Sequence, residues 1–267
     1  MPRYFLEVCY KGTHYSGFQL QENAVSIQYE VEKALNIFFH LPPAELGNPK
    51  GRTGVKLFVS SRTDTGVHAL QNFFHFDTDF VFTPKHIYNL NSLLPGDIAV
   101  VNIYPVSADA HCRFDAISRE YKYYTYQKKD PFLADRAYYY PFKPDINKLN
   151  ELAALIIGEA DFSAFSKRKT KVKTFTCTIH HSIWREEDGC LVYYVKGNRF
   201  LRGMVKGLVG TMLKVAKTDN YTGNFKNIIA SKDCTQTDFS APSHGLFLAK
   251  VNYRDGYFEG GHYLSLI

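Results

Sequence analysis

Apolar and polar positions recur along this chain at the two periods that distinguish strands from helices. Residues 4–10 read as a strand. Ile27, Val31, Ala34, Leu35 and Phe38 then fall at helical spacing behind Ser26, a residue type that caps helix N-termini. Residues 56–60 predict a short strand and 67–77 a longer one. Thr83-Pro84 places a cap before a proline at the first helical position. Ile87, Leu90 and Leu94 give that helix its apolar face, and Pro95-Gly96 ends it. Residues 98–106 form the next strand. The order is β-α-β-β-α-β, the split βαβ or ferredoxin-like pattern.

The order then repeats without a repeat of sequence. Residues 120–127 alternate as a strand with tyrosines on both faces. Asp145 caps a helix carrying Ile146, Leu149, Leu152, Leu155 and Ile156. Residues 172–185 and 190–196 predict a hairpin turning at Glu187-Asp188-Gly189. A long helix is expected over 200–217, a short one over 225–230, and a final strand over 246–253. Pro131, Pro141 and Pro144 mark a loop, and residues 107–117 join the halves. The fold class is therefore α+β: two ferredoxin-like halves, 1–106 and 107–267, with a cleft expected where their sheets meet.

Composition adds limits. With 267 residues, 45% hydrophobic and 22% charged, the chain reads as a soluble globule and not as a disordered one. No apolar run approaches a membrane span, and the first residues lack a signal-peptide core. Five scattered cysteines without a CxxC suit reduced thiols in a cytoplasm. The net charge of +6 is uneven: residues 1–104 hold 8 basic and 9 acidic residues, the remainder 24 and 17. A basic, tyrosine-rich half suits a nucleic-acid surface, although such a charge is also common among soluble proteins.

The chain has no Walker A, no GxGxxG after a strand, no HExxH, no GxSxG and no zinc-ribbon spacing. Gly203, Gly207 and Gly210 match GxxxG, which in a segment containing Lys206 and Lys214 points to close packing. His75 and Asp77 share a strand face while His68 falls on the other, and Cys177, His180 and His181 lack a second ligand cluster. No structural or catalytic metal is expected.

The informative segment runs from Ser60 to Asn72. Arg62, Thr63, Asp64 and Gly66 make a polar turn between apolar flanks. By spacing alone, Asp64 is an ordinary Asx-turn residue and Arg62 an ordinary surface charge. Tyr121 sits in a ladder with Tyr123, Tyr124 and Tyr126, which is an ordinary strand pattern. Lys167, Arg168, Lys169, Lys171 and Lys173 put five cations within seven residues, as a solvated loop or as an arm for phosphates. Lys128-Lys129 extends the same basic character.

Arg62-Thr63-Asp64-Thr65-Gly66-Val67-His68-Ala69 resembles the signature of the tRNA pseudouridine synthase A family. Segments 12–21, 89–98, 113–123, 200–211 and 241–246 resemble further family segments, in the same order and over nearly the whole chain. The resemblance implies an isomerase that turns uridine into pseudouridine at positions 38 to 40 of the tRNA anticodon stem-loop. It implies no cofactor, no metal for chemistry, a homodimer, and two ferredoxin-like halves.

By that resemblance Asp64 is the catalytic carboxylate, whether it attacks C1′, attacks C6 or deprotonates C2′. Tyr121 matches the tyrosine that stacks on the flipped base, and Arg62 joins it in binding substrate. Where the family has an Arg pairing with the catalytic Asp, this chain has Lys206, which keeps the charge and loses the planar fork. Arg202 is the rival for that role. Phe18, Gln19, His68, Lys167, Arg168, Lys169, Lys171 and Arg202 are candidate RNA contacts. Two other classes compete: a tRNA-binding protein without catalysis, and a metal-dependent nuclease, which the ligand geometry disfavours.

Overall fold

The computed structural model describes residues 1–42, 54–168, 172–258 and 264–265. In chain order its elements are β1 (Arg3–Tyr10), α1 (Ile27–Phe38), β2 (Phe58–Val59), β3 (His68–Asp77), α2 (Pro84–Leu93), β4 (Ile98–Val106), β5 (Ser118–Tyr126), β6 (Tyr138–Tyr139), α3 (Ile146–Ala154), β7 (Gly158–Asp161), β8 (Thr176–Glu187), β9 (Cys190–Gly197), α4 (Met204–Val215), α5 (Tyr221–Ser231), β10 (Leu246–Asn252) and β11 (Leu264–Ser265). The architecture is mixed α+β. The chain divides into two compact units, Met1–Ile117 with Leu248–Ile267, and Ser118–Phe247. The segment 107–117, expected from the sequence to join the halves, falls within the first unit, as does most of β10.

In the first unit β1 is central, antiparallel to β3 on one side and to β4 on the other. β2 lies antiparallel on β3, and β10 also runs beside β3. In the order β4-β1-β3-β2, α1 lies in the connection from β1 to β2 and α2 in that from β3 to β4. The caps act as their residue types predict. Ser26 Oγ accepts the Tyr29 N–H at 3.3 Å. The Thr83 N–H donates to His86 Nδ1 at 2.8 Å, and Pro84 opens the helix.

Leu6, Val8, Phe74 and Phe76 are buried on one face of the sheet, as are Ile27, Val31, Leu35, Ile87 and Leu90 of the helices, while Phe5 and Phe73 are buried on the opposite face. Two carboxylates are buried among the described residues of this unit, Glu32, which accepts from Gln28 Nε2 at 2.9 Å and the Leu57 N–H at 3.1 Å, and Glu7. Glu7 accepts from Gln71 Nε2 at 2.7 Å, Asn102 Nδ2 at 3.0 Å and the Tyr104 hydroxyl at 2.7 Å, and these bonds replace the water it loses. Tyr253, Tyr257 and Phe258 pack their rings within 6 Å of Phe5 or Phe73 and cover the sheet's other face.

In the second unit β5, β9, β8 and β7 form an antiparallel sheet in that order. The β8–β9 hairpin turns at Asp188 (φ 50°) and Gly189 (φ 76°), the two left-handed residues of a type I′ turn. Trp184 is buried, its indole N–H donating to Met212 Sδ at 3.4 Å. Asn150 on α3 clasps the Trp184 backbone through both amide atoms, at 2.7 and 3.1 Å.

The largest departures from the sequence reading fall in the second unit. The strand expected over 172–185 is shifted to Thr176–Glu187 and is preceded by β7, whose Gly-Glu-Ala-Asp run carries no alternating signal. The helix expected over 200–217 starts at Met204, because Gly203 adopts φ 76° and the Met204 N–H closes a turn onto Leu201 O at 3.0 Å. The short helix expected over 225–230 extends to Tyr221–Ser231.

Candidate active-site elements

The Asp64 turn is held by backbone. Asp64 is half-buried between buried Thr63 and exposed Thr65. The Val67 N–H donates to the Asp64 carbonyl at 3.1 Å, and Gly66 supplies the left-handed residue at φ 77°. This is not an Asx turn of the kind formed at Asp130, Asp145, Asp161 and Asp233, where the side-chain oxygen accepts a backbone N–H two residues on. The turn's carbonyls are fixed from outside. Thr63 O accepts the Phe18 N–H at 3.0 Å, and Ser61 O accepts from Asn72 Nδ2 at 2.8 Å. The Thr63 hydroxyl meets the Tyr10 hydroxyl at 2.8 Å, and burial pushes Tyr10 up to about 12, so that it stays protonated.

The first loop braces this turn at two glycines. A Cβ on Gly12 would stand 2.0 Å from Val67 O. Gly17 lies at φ 85°, and a Cβ there would meet Thr63 O at 3.0 Å and Thr65 N at 3.1 Å. The same loop feeds α1, whose first N–H groups at Ile27 and Gln28 donate to Gly17 O at 3.2 Å and Phe18 O at 3.0 Å. Those bonds satisfy donors that a helix N-terminus leaves open. Tyr15 fastens the loop through its hydroxyl, which donates to Asp97 Oδ1 at 2.5 Å.

Residues proposed from sequence as RNA contacts separate here. His68 is buried, and its Nδ1 accepts the Gly12 N–H at 3.0 Å, so it supports the loop from within. Phe18 is buried against Phe74, ring centroids 5.1 Å apart. Arg62 and Gln19 are exposed.

In the second unit Tyr121 is half-buried on β5 opposite Val195, its ring edge-to-face with Phe200 at 5.0 Å. Tyr123, on the same strand face, is buried and donates to Pro242 O at 2.8 Å. Lys206 on α4 is only 8% exposed, and its Nζ donates to Ser243 Oγ at 2.9 Å.

Glycines again make the approach possible. A Cβ on Gly207 would lie 2.8 Å from the Phe239 ring, and one on Gly210 would lie 2.4 Å from Asp238 O. Close packing is therefore the meaning of the GxxxG match. It draws segment 237–243 along α4, where the Asp238 N–H donates to Thr211 Oγ1 at 3.0 Å. Ser243 was not singled out as a site residue; only its place in the 241–246 segment pointed to it.

Arg202 is exposed and lies in the turn before α4, not on the helix as expected, and its carbonyl accepts the Lys167 N–H at 3.0 Å. The Lys167 stem packs over Gly203, while its Nζ lies 5.8 Å from the Phe239 ring centre. Arg168 reaches Asp233 at 3.9 Å as an exposed pair. Lys169 and Lys171 lie outside the described residues.

Proteins of similar sequence place this mixed α+β chain in an enzyme class. The sequence model of the family described as tRNA pseudouridine synthase matches residues 152–254. The tRNA pseudouridine synthase A of Parabacteroides distasonis is 40% identical over 263 residues, covering 97% of this chain and 98% of the relative. That of Porphyromonas gingivalis is 39% identical, covering 97% and 100%. That of Staphylococcus aureus strain MRSA252 is 34% identical, covering 93% and 91%. The chain belongs to the tRNA pseudouridine synthase family, isomerases that convert uridine to pseudouridine. Among the described residues no helix is long and apolar enough to cross a membrane.

Proposed function

We propose that this enzyme isomerises uridine at positions 38, 39 and 40 of the tRNA anticodon stem-loop, with Asp64 as its catalytic carboxylate. The observation that carries the reading is the Arg62–Ala69 motif, whose aspartate is half-buried in a turn closed by backbone and not by its own side chain. The uracil must leave C1′, turn, and rejoin the sugar through C5, so that the C5 hydrogen departs. A held carboxylate serves this chemistry by covalent addition or by proton abstraction.

Tyr121 offers its ring to the flipped base, whose unstacking costs a few kcal/mol. Arg62 binds substrate beside Asp64 in sequence. Lys206 supplies the positive charge that the family draws from Arg, and the Ser243 hydroxyl orients its ammonium. Gln19, Lys167, Arg168, Lys169, Lys171 and Arg202 are the RNA-contacting set we retain. His68 and Phe18 act by holding the loop, as their burial requires.

The strand order β4-β1-β3-β2 supports reading the first half, 1–106, as ferredoxin-like, and the second half, 107–267, is read the same way. We take the working enzyme to be a cytoplasmic homodimer that uses no cofactor. The test is carbodiimide mapping of tRNA substrates carrying a single uridine at 38, 39 or 40. Primer-extension stops at those positions are expected after incubation with the enzyme. Stops elsewhere, with none at 38–40, contradict the assignment.

A further inference from the structure

We propose that His75, His111 and Cys112 form a binding site for one zinc ion, apart from the residues assigned to isomerisation. Their ligand atoms all lie within 4.8 Å of one another. The three come from two places in the first unit: His75 from β3, and His111 with Cys112 from the segment after β4. Tetrahedral zinc, with bonds of about 2.0–2.3 Å to N and S, needs its ligand atoms roughly 3.3–3.8 Å apart. His75 Nδ1 and Cys112 Sγ are already 3.2 Å apart. The remaining closure falls to His111, which is half-buried and can turn its ring inward.

The arrangement is built around the ligands. The His75 ring is stacked between Phe58, at 4.9 Å and 10°, and Phe5, at 5.9 Å and 26°, which fixes its plane. In the absence of metal His111 Nδ1 accepts the Arg113 backbone N–H at 3.1 Å, which puts the ring proton on Nε2; turning inward exchanges that bond for one from Nδ1 to zinc. The His111 backbone N–H donates to Asp115 Oδ2 at 2.7 Å, which anchors the main chain beside the ring.

Cys112 is fully buried and in no disulfide. Two imidazoles and a thiolate are the borderline-soft set zinc prefers over magnesium or calcium, and a water molecule would complete four-coordination. On binding, the thiol proton leaves to solvent. The nearby Arg3 guanidinium is occupied by Asp77 through two bonds of 2.7 and 2.9 Å, which offsets its repulsion of a cation. His75 and Asp77 share a face of β3, as the sequence pattern predicts; Asp77 pairs with Arg3, and His75 meets Cys112 and His111.

The test uses the full chain, stripped with chelator and re-equilibrated with Zn²⁺ or Co²⁺. Wild type is expected to retain one equivalent of zinc after desalting. Its Co²⁺ form should show a thiolate-to-metal charge-transfer band that zinc abolishes. Cys112→Ser should lose the band, and His111→Ala, at a half-exposed ring, should lose zinc retention while its circular dichroism and tRNA binding match wild type. No retained zinc in wild type, or an unchanged band in Cys112→Ser, overturns the proposal. Should Cys112→Ser not fold, undiminished retention in His111→Ala overturns it equally. Uridine isomerisation is not the readout, so failure here leaves the proposed function standing.

Discussion

The Asp64 turn and the Lys206 helix hold their key side chains in opposite ways. Around Asp64 the backbone does the positioning: glycines at 12, 17 and 66 and carbonyl bonds from Phe18 and Asn72 shape the turn. Around Lys206 a side-chain hydroxyl 37 residues away meets the ammonium. The glycines on α4 matter there only by letting segment 237–243 come close. A backbone-built site tolerates almost no change in its glycines and leaves a contiguous motif. A side-chain-built site tolerates conservative exchange, which suits the proposal that Lys206 takes a role the resemblance gives to arginine.

The comparison is most easily broken at Gly12. Gly12→Ala places a Cβ against Val67 O, and such overpacking costs about 1–3 kcal/mol. A clear drop in melting temperature together with loss of turnover is expected, measured by thermal unfolding and tritium release from [5-³H]uridine tRNA. Next comes Lys206→Met, which removes the charge at nearly equal bulk. It should lower kcat strongly while leaving the fold intact, and Lys206→Arg should restore much of the rate. A Lys206→Met enzyme with wild-type kcat would deny the lysine its role.

Tyr121→Ala should cost about 1–3 kcal/mol, the worth of one base stacked on an aromatic ring, whereas Tyr121→Phe should be nearly silent. Steady-state kinetics on an anticodon stem-loop separate the two. The smallest effect belongs to the exposed cations. Neutralising Lys167, Arg168 and Lys169 together should leave stability almost unchanged, since exposed pairs such as Arg168–Asp233 contribute roughly 0–1 kcal/mol. It should, however, flatten the salt dependence of tRNA binding by up to about 0.7–0.9 in slope for each phosphate no longer neutralised.

Much of this fold was legible because its signals are local. Ser26, Thr83 and Asp145 all begin helices, and the Asp188-Gly189 turn sits where its residue types require it. β6 and β7 were not legible because two to four residues carry no period. The start of α4 was misplaced because its apolar pattern continues back to Phe200, while the decisive fact is the left-handed backbone at Gly203. Within the site, Asp64 could be found from a contiguous motif. The service of Ser243 to Lys206, and of His68 to Gly12, depends on tertiary approach that no spacing encodes. The His75–His111–Cys112 grouping is hidden for the same reason: His111 and Cys112 adjoin in sequence, but only the fold brings His75 to them.

The central claim is that Asp64 performs the chemistry and does not merely shape the turn, and the most direct test sets wild type beside Asp64→Asn on bulk tRNA carrying [5-³H]uridine. Forming the C5 glycosidic bond must expel the label, so tritium release reports the reaction itself. Release by wild type alone, with tRNA binding equal in the two proteins, is the predicted result. Substantial release by pure Asp64→Asn, or none by a wild-type protein that still binds tRNA, would contradict the account.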